Sequence, residues 1–197
     1  MTLRRFALPI LVAIAVGACG SDPPPPPAPT GPTDEELAQA RADSIARAQA
    51  EAERRAAEER AAREAEEARM AAMEDARETL QAMVFFDLDE SAITDQAQAV
   101  LRRKVDVLRA SPQVQIRIEG HADERGSTEY NLALGNRRAQ AVREFLTGFG
   151  LPQSRFTIVS YGEEQPLVNQ SNESAWSQNR RAEFEITAGA NAINPPS

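Results

Sequence analysis

The chain has 197 residues, 22 Lys and Arg against 30 Asp and Glu for a net charge of −8, and one cysteine and one histidine. That length allows one or two domains, the lone cysteine excludes an intrachain disulfide, and the acidic balance lacks the basic footprint with which proteins track nucleic acid. A single histidine also excludes a paired-histidine zinc site.

At the N-terminus, Arg4 and Arg5 precede an apolar run of eleven residues, Phe6 to Val16. It is too short to cross a bilayer core of about 30 Å. Gly17 and Ala18 then lead to Cys19. Residues 1–18 read as a secretory signal cleaved in front of a cysteine, and the pattern resembles a bacterial lipobox. That resemblance implies a diacylated Cys19 thiol and a mature chain that begins at Cys19. Two acyl chains, with a third on the amine, anchor stably where one alone binds marginally. The same resemblance to lipoproteins implies the outer membrane, with the protein facing the periplasm, since Gly20 and not an aspartate follows the cysteine. The rival reading, a core cysteine after an ordinary signal, must contend with the proline-rich sequence that follows at once. Loss of Arg4 and Arg5 takes the net charge from −8 to −10.

Residues 19–33 form a linker containing an unbroken run from Pro23 to Pro27. Proline runs favour extended polyproline II. The segment reads as a spacer off the membrane, or else as a proline-rich ligand for another domain.

Residues 34–83 are dominated by Ala, Glu, Arg and Gln, all strong helix formers, with no Gly or Pro. Thr33 and Glu36 form a capping box, and Asp34, Glu35 and Glu36 suit the first turn. Pairs at i,i+4 recur, Glu51 with Arg55 and Glu59 with Arg63 among them. A fully helical segment would be about 75 Å long. A 4,3 stripe through Ala38, Ala42, Ile45, Gln49, Ala52 and Ala56 meets Glu59 and Arg63, so a coiled-coil seam fails. The segment carries eight Arg against fourteen acids, a net −6. A solvated, charge-stabilised single helix is the reading, with the coiled coil as its rival.

Residues 84–188 have globular composition. Val84-Phe85-Phe86 reads as a short strand. Thr94 caps a helix with Ala97, Val100, Leu101, Val105 and Leu108 on one face, stopped at Ser111-Pro112. Val114, Ile116 and Ile118 alternate with polar residues, as in a half-buried strand. A second helix is expected from near Asn131 to Thr147, a third strand over Phe156–Tyr161, and a fourth through Ala182, Phe184 and Ile186. The order βαβαββ predicts a two-layer α/β (α+β) sandwich with both helices on one face of a mixed sheet. Residues 189–197 are expected to be a flexible tail, and Tyr130 and Trp176 to be packing residues.

The densest polar stretch leaves a strand at Gly120-His121-Ala122-Asp123-Glu124-Arg125-Gly126 and enters a helix at Tyr130 to Ala139. Strand-to-helix loops commonly carry ligand sites. Asp123 and Arg138, brought together across a pocket, would suit a zwitterion: the guanidinium takes a carboxylate and the aspartate an ammonium. Alternatively, Asp123 caps the helix or pairs with Arg125 on the surface. A hydrolase or metal site from His121, Asp123 and Glu124 has little support, because no Ser or Cys nucleophile stands in a recognisable motif. The run from Asp87 lacks the sixth-position Gly and twelfth-position Glu of a calcium loop.

The loop motif, the run Tyr130-Asn131-Leu132-Ala133-Leu134-Gly135-Asn136-Arg137-Arg138-Ala139, Phe86-Asp87-Leu88-Asp89, and Ser177 to Ala182 are together similar to the OmpA-like peptidoglycan-binding family. The resemblance implies non-covalent binding of peptidoglycan stems through diaminopimelate, with Asp123 and Arg138 as the ligand-holding pair. Phe86, Asp87, Asn131 and Leu134 become pocket wall or second shell. It implies neither cofactor nor metal, no enzymatic activity, and a TolB-like periplasmic partner on an overlapping surface to which Glu124, Arg125 and Arg137 can contribute. The long charged helix departs from the family's usual short linker. A wall-binding lipoprotein serving as a structural spacer or protein-binding module is the alternative.

Overall fold

A computed structural model of the chain describes residues 31–196; the signal, Cys19 and the proline run lie outside the described residues. The chain divides into two units, one through Arg55 and the other from Ala56 onward.

Helix α1 (Asp34–Gln81) begins on the expected capping box. The Thr33 amide donates to Glu36 Oε2 at 2.8 Å and the Glu36 amide to Thr33 Oγ1 at 3.3 Å. In the first unit every described residue of the helix is exposed, as its charge pattern requires. Glu51 and Arg55 pair at 2.5 Å, and Glu59 and Arg63, in the second unit, at 2.6 Å. Such exposed pairs contribute only about 0.3–0.5 kcal/mol each. Among the described residues, no helix is long and apolar enough to cross a membrane.

The second unit contains β1 (Val84–Phe85), α2 (Asp95–Ala110), β2 (Gln115–His121), α3 (Thr128–Gly148), β3 (Phe156–Gly162), α4 (Glu173–Asn179) and β4 (Arg181–Ala188). The sheet order is β1-β4-β2-β3. β4 runs antiparallel to both β1 and β2, and β3 runs parallel to β2. Alternation decides the faces. Ile116, Ile118, Phe184 and Phe156 point into a core shared with Leu101, Leu108, Val142 and Leu146 of α2 and α3. Arg117, Glu119, Glu183 and Glu185 point to the other face, where they are partly or fully exposed. A sheet with antiparallel pairs tolerates such a wet face.

Three features differ from the sequence expectation. First, the order is βαβαβαβ, because α4 intervenes before the last strand. It has no apolar periodicity and rests on its Asn172 cap, whose side chain accepts from the Ala175 amide at 3.0 Å. Second, α3 starts at Thr128 on the Ser127 cap, one turn before the first apolar periodic position. Third, the expected flexible tail is docked as far as Asn194. Ile193 is 3% exposed in the core, and the Asn194 amide donates to Ser111 Oγ at 2.8 Å. One apolar residue among Asn, Ala and Pro is too weak a signal to read as core. Ile193→Ala is expected to lower stability by about 2–4 kcal/mol, as large-to-small core changes do; urea unfolding measures it, and an unchanged midpoint would restore the tail reading.

The last turns of α1 belong to this core through Ala76 and Leu80. No basic residue of α1 itself serves its C-terminal end. Lys104 of α2 does so instead. Its Nζ donates to the Thr79 and Leu80 carbonyls at 2.9 and 2.7 Å, which are among the carbonyls a helix end leaves without intrahelical partners. It also lies 3.8 Å from the Phe184 ring centroid. Burial, with Arg103 adding repulsion, pushes the Lys104 pKa well below its ordinary value.

Candidate functional site

The loop between β2 and α3 sits where the two elements approach most closely. Gly120 of β2 and Gly135 of α3 make that approach possible. A Cβ on Gly120 would stand 1.9 Å from the Gly135 carbonyl oxygen, and one on Gly135 would stand 2.4 Å from Ser160 Oγ. The contact fixes the first turns of α3 over the ends of β2 and β3, and with them the residues α3 presents.

Beside this contact lies a cavity of about 330 Å³ lined by Asp123, Arg125, Tyr130, Asn131, Leu134 and Arg138, with Leu88, Asp89 and Gly126 at its margin. The two residues singled out for a zwitterion, Asp123 and Arg138, therefore share one wall system. Asn131 and Leu134 also line it. Phe86 and Asp87 do not; they hold Arg138 from behind. The guanidinium lies 5.2 Å from the Phe86 ring centroid, and its NH2 donates to the Asp87 carbonyl at 3.0 Å.

Arg138 is 0% exposed. Its Nε donates to the Glu90 carbonyl at 2.8 Å and its NH1 to the His121 carbonyl at 2.8 Å. With the Asp87 bond, these use three of the five N–H groups of a guanidinium. Burial lowers its pKa to about 10; Arg180 adds to this, while Asp123 and Asp89 oppose it. It remains a cation at neutral pH. It is both the floor of the cavity and the fastening of the 87–90 segment to β2.

Asp123 is 5% exposed and already engaged. Arg125 reaches it three times: its amide at 3.1 Å and its Nε at 3.0 Å to Oδ1, and NH2 at 2.7 Å to Oδ2. Arg180 NH1 donates to Oδ2 at 3.3 Å. Burial alone would raise the carboxyl pKa, but these bonds from Arg125 and Arg180 win and hold it below its usual value. The pairing with Arg125 that the sequence offered as an alternative is thus present, with the carboxylate buried and the arginine partly exposed; Ser127 takes the cap of α3.

Sequence reasoning missed Arg180, and α4 explains why. Arg180 lies 57 residues from Asp123 along the chain, and the short polar helix that delivers it gave no periodic signal. Its cap residue and Glu173, an N-cap followed by an acid, were the local clue to the helix, and the family-like run Ser177 to Ala182 contains Arg180 without assigning it a role. Glu173 bonds Arg180 NH2 at 2.8 Å and approaches Arg125 NH1 at 3.5 Å. The Arg125 guanidinium stacks 4.2 Å from the Trp176 ring centroid, and Trp176 Nε1 donates to Glu124 at 3.0 Å. Trp176 therefore braces the loop instead of filling the core. Tyr130, also expected to pack, is 43% exposed at the cavity; its hydroxyl bonds Asp89, a residue held at φ 59°. Asn131 locks the loop to β3, donating to the Arg125 carbonyl at 3.2 Å and to Glu163 at 2.5 Å.

His121 does not join this cavity. It is 1% exposed, its ring lies 5.5 Å from Tyr161, and burial, then Arg181, lowers its pKa to about 4. His121, Asp123 and Glu124 therefore do not converge on one site.

Residues 85–180 match the model of the OmpA family. Over 99 residues the chain is 52% identical to the peptidoglycan-associated lipoprotein of Brucella melitensis, covering 50% of this chain and 59% of that one. Over 99 residues it is 44% identical to the protein of the same name from Haemophilus influenzae, covering 50% and 65%. The chain thus spans about three fifths of the length of the first of these relatives. Among solved structures it is similar to the peptidoglycan-associated lipoprotein of Burkholderia pseudomallei, at 44% identity and TM-score 0.51 over 52% of this chain and 86% of that one. It shares its fold with the C-terminal domain of Helicobacter pylori MotB, at 20% identity and TM-score 0.52 over 56% and 88%.

Proposed function

Since the chain belongs to the OmpA family through residues 85–180, we propose that it is a peptidoglycan-associated lipoprotein that grips the wall at diaminopimelate. Acyl chains on Cys19 hold it in the outer membrane, and the domain binds peptidoglycan non-covalently, linking membrane to wall. The observation that carries the reading is one cavity of about 330 Å³ lined by both Asp123 and Arg138. The free end of diaminopimelate is an amino acid, so it carries one ammonium and one carboxylate. Arg138 takes the carboxylate with N–H groups its backbone bonds leave over. Asp123 takes the ammonium as Arg125, the more exposed of its two arginines, swings aside. Leu134 and Tyr130 cover the aliphatic stem.

The role we assign is that of the Pal component of a Tol-Pal system, with a TolB-like periplasmic protein competing for the rim. Arg125, which lines the cavity, and Glu124, next to it on a loop braced by Trp176, support this. Arg137 stands 5.6 Å from the ring of Tyr130, another residue lining the cavity.

Sedimentation with intact sacculi tests the reading. Mature protein carrying Cys19→Ser is expected to pellet with diaminopimelate-containing sacculi and to stay soluble with sacculi whose stems carry lysine, which lacks the second carboxylate. Asp123→Asn keeps the shape of the side chain and removes its charge. It is expected to weaken binding at least about tenfold, the loss of one charge-assisted hydrogen bond. Equal binding to both sacculi, or an Asp123→Asn protein that binds like wild type, would sink the assignment.

A further inference from the structure

The open face of the sheet carries a second cluster that wall binding does not use. Glu119 of β2 stands directly opposite Glu183 of β4 in the antiparallel register. His121 lies two residues further along β2. One ligand atom from each of the three lies within 4.8 Å of the others. The two carboxylates alone would be an ordinary solvated pair. His121 changes that, because it is 1% exposed and neither ring nitrogen has a hydrogen-bond partner. Its Nε2 stands 4.0 Å from Glu183 Oε1, too far for a hydrogen bond. The Gln165 backbone acts on the ring but does not satisfy either nitrogen. Buried polar nitrogens without partners are rare and call for an explanation.

We propose that Glu119, His121 and Glu183 bind one divalent transition-metal ion of the zinc class, with water in the remaining position. An imidazole nitrogen and two carboxylate oxygens suit zinc, cobalt or nickel better than calcium or magnesium, which take oxygen alone. Zinc bonds nitrogen and oxygen at about 2.0–2.2 Å, so its ligand atoms lie about 3.3–3.6 Å apart. The site reaches that spacing by rotamer adjustment of the two glutamates, both of which are partly exposed. The neighbouring arginines already orient those carboxylates. Arg117 Nε donates to Glu119 Oε1 at 2.7 Å and Arg181 Nε to Glu183 Oε1 at 2.6 Å. Each bond engages Oε1 of its carboxylate, and neither of these bonds uses Oε2. Outer partners of this kind fix metal-bound carboxylates elsewhere, although here their positive charge also opposes the ion and limits its affinity.

The test is independent of the wall-binding reading, because it uses the metal alone. Untagged mature protein with Cys19→Ser, which removes the one competing thiol, is titrated with ZnCl2 by calorimetry and with CoCl2 by visible absorption. The expected result is one zinc per chain, cobalt bands of a low-coordinate N/O site, and no comparable heat with MgCl2 or CaCl2. Glu119→Gln and Glu183→Gln are each expected to weaken zinc at least tenfold with unchanged circular dichroism. Both side chains are partly exposed, so these variants hold the test even where a His121→Gln protein fails to fold. No zinc binding, zinc binding indifferent to both glutamate substitutions, or equal binding of magnesium would each overturn the proposal.

Discussion

Arg138→Ala is expected to destabilise the domain by about 3–5 kcal/mol as well as to abolish wall binding. The reason lies in what the guanidinium holds. It bridges the carbonyls of Glu90, His121 and Asp87 while being fully buried itself. Alanine takes a charged donor from one buried and two partly buried carbonyls and opens a void beneath the Phe86 ring. Hydrogen bonds to a charged donor contribute about 1.5–3 kcal/mol each, and breaking a buried polar network is among the few routes to so large a loss. Denaturant unfolding of the two proteins measures it. Arg138→Lys separates the roles: a lysine keeps the charge and can reach fewer than three carbonyls, so it should recover part of the stability while binding stays weak, because a point charge does not replace the planar fork. An alanine variant as stable as wild type would show that the 87–90 segment is held by other means.

Gly120→Ala is expected to be about as damaging, though it touches no ligand. The added methyl meets the Gly135 carbonyl oxygen at 1.9 Å and its carbon at 2.6 Å. Both neighbours are helix backbone, so no rotamer change relieves the clash. α3 must lift off β2, taking Asn131, Leu134 and Arg138 with it. Overpacking of this kind costs about 3 kcal/mol or more, and the cavity loses its floor. Gly148→Ala is the control: a Cβ there meets nothing within 4 Å, so stability should change by less than about 1 kcal/mol. Thermal unfolding and sacculus sedimentation of the pair read both effects. Gly120→Ala behaving like Gly148→Ala would mean that the strand and helix can separate without harm.

Much of the architecture was legible because it is local. Val114, Ile116 and Ile118 announce a strand by alternation, and the Thr33 and Thr94 caps announce where two helices begin. The candidate pair Asp123 and Arg138 was legible through charge and the family motif. What escaped was non-local. Arg180 reaches Asp123 from the C-terminal cap of a seven-residue helix with no apolar periodicity. Ile193 finds the core as a single apolar residue near the chain end. The commitment of Arg138 to backbone carbonyls has no sequence signature at all, since a carbonyl carries no side-chain identity. Gly120 and Gly135 stood in the motif as letters; only the 1.9 Å approach explains why neither position has room for a methyl group.

Lys104 gives the domain a mechanical property. Were the chain held at Cys19 while the domain gripped the wall, as proposed above, it would be under tension, and the first point of resistance would decide what unravels. Here the pull meets Leu80 in the core and the ammonium that fastens the Thr79 and Leu80 carbonyls before it meets the two-residue strand β1 or the 87–90 segment. The load passes into α2 and the central sheet, and the stretch that Arg138 fastens over the cavity lies in the slack behind it. Grip and strain are thereby separated, as in a rope tied off on a cleat ahead of the knot.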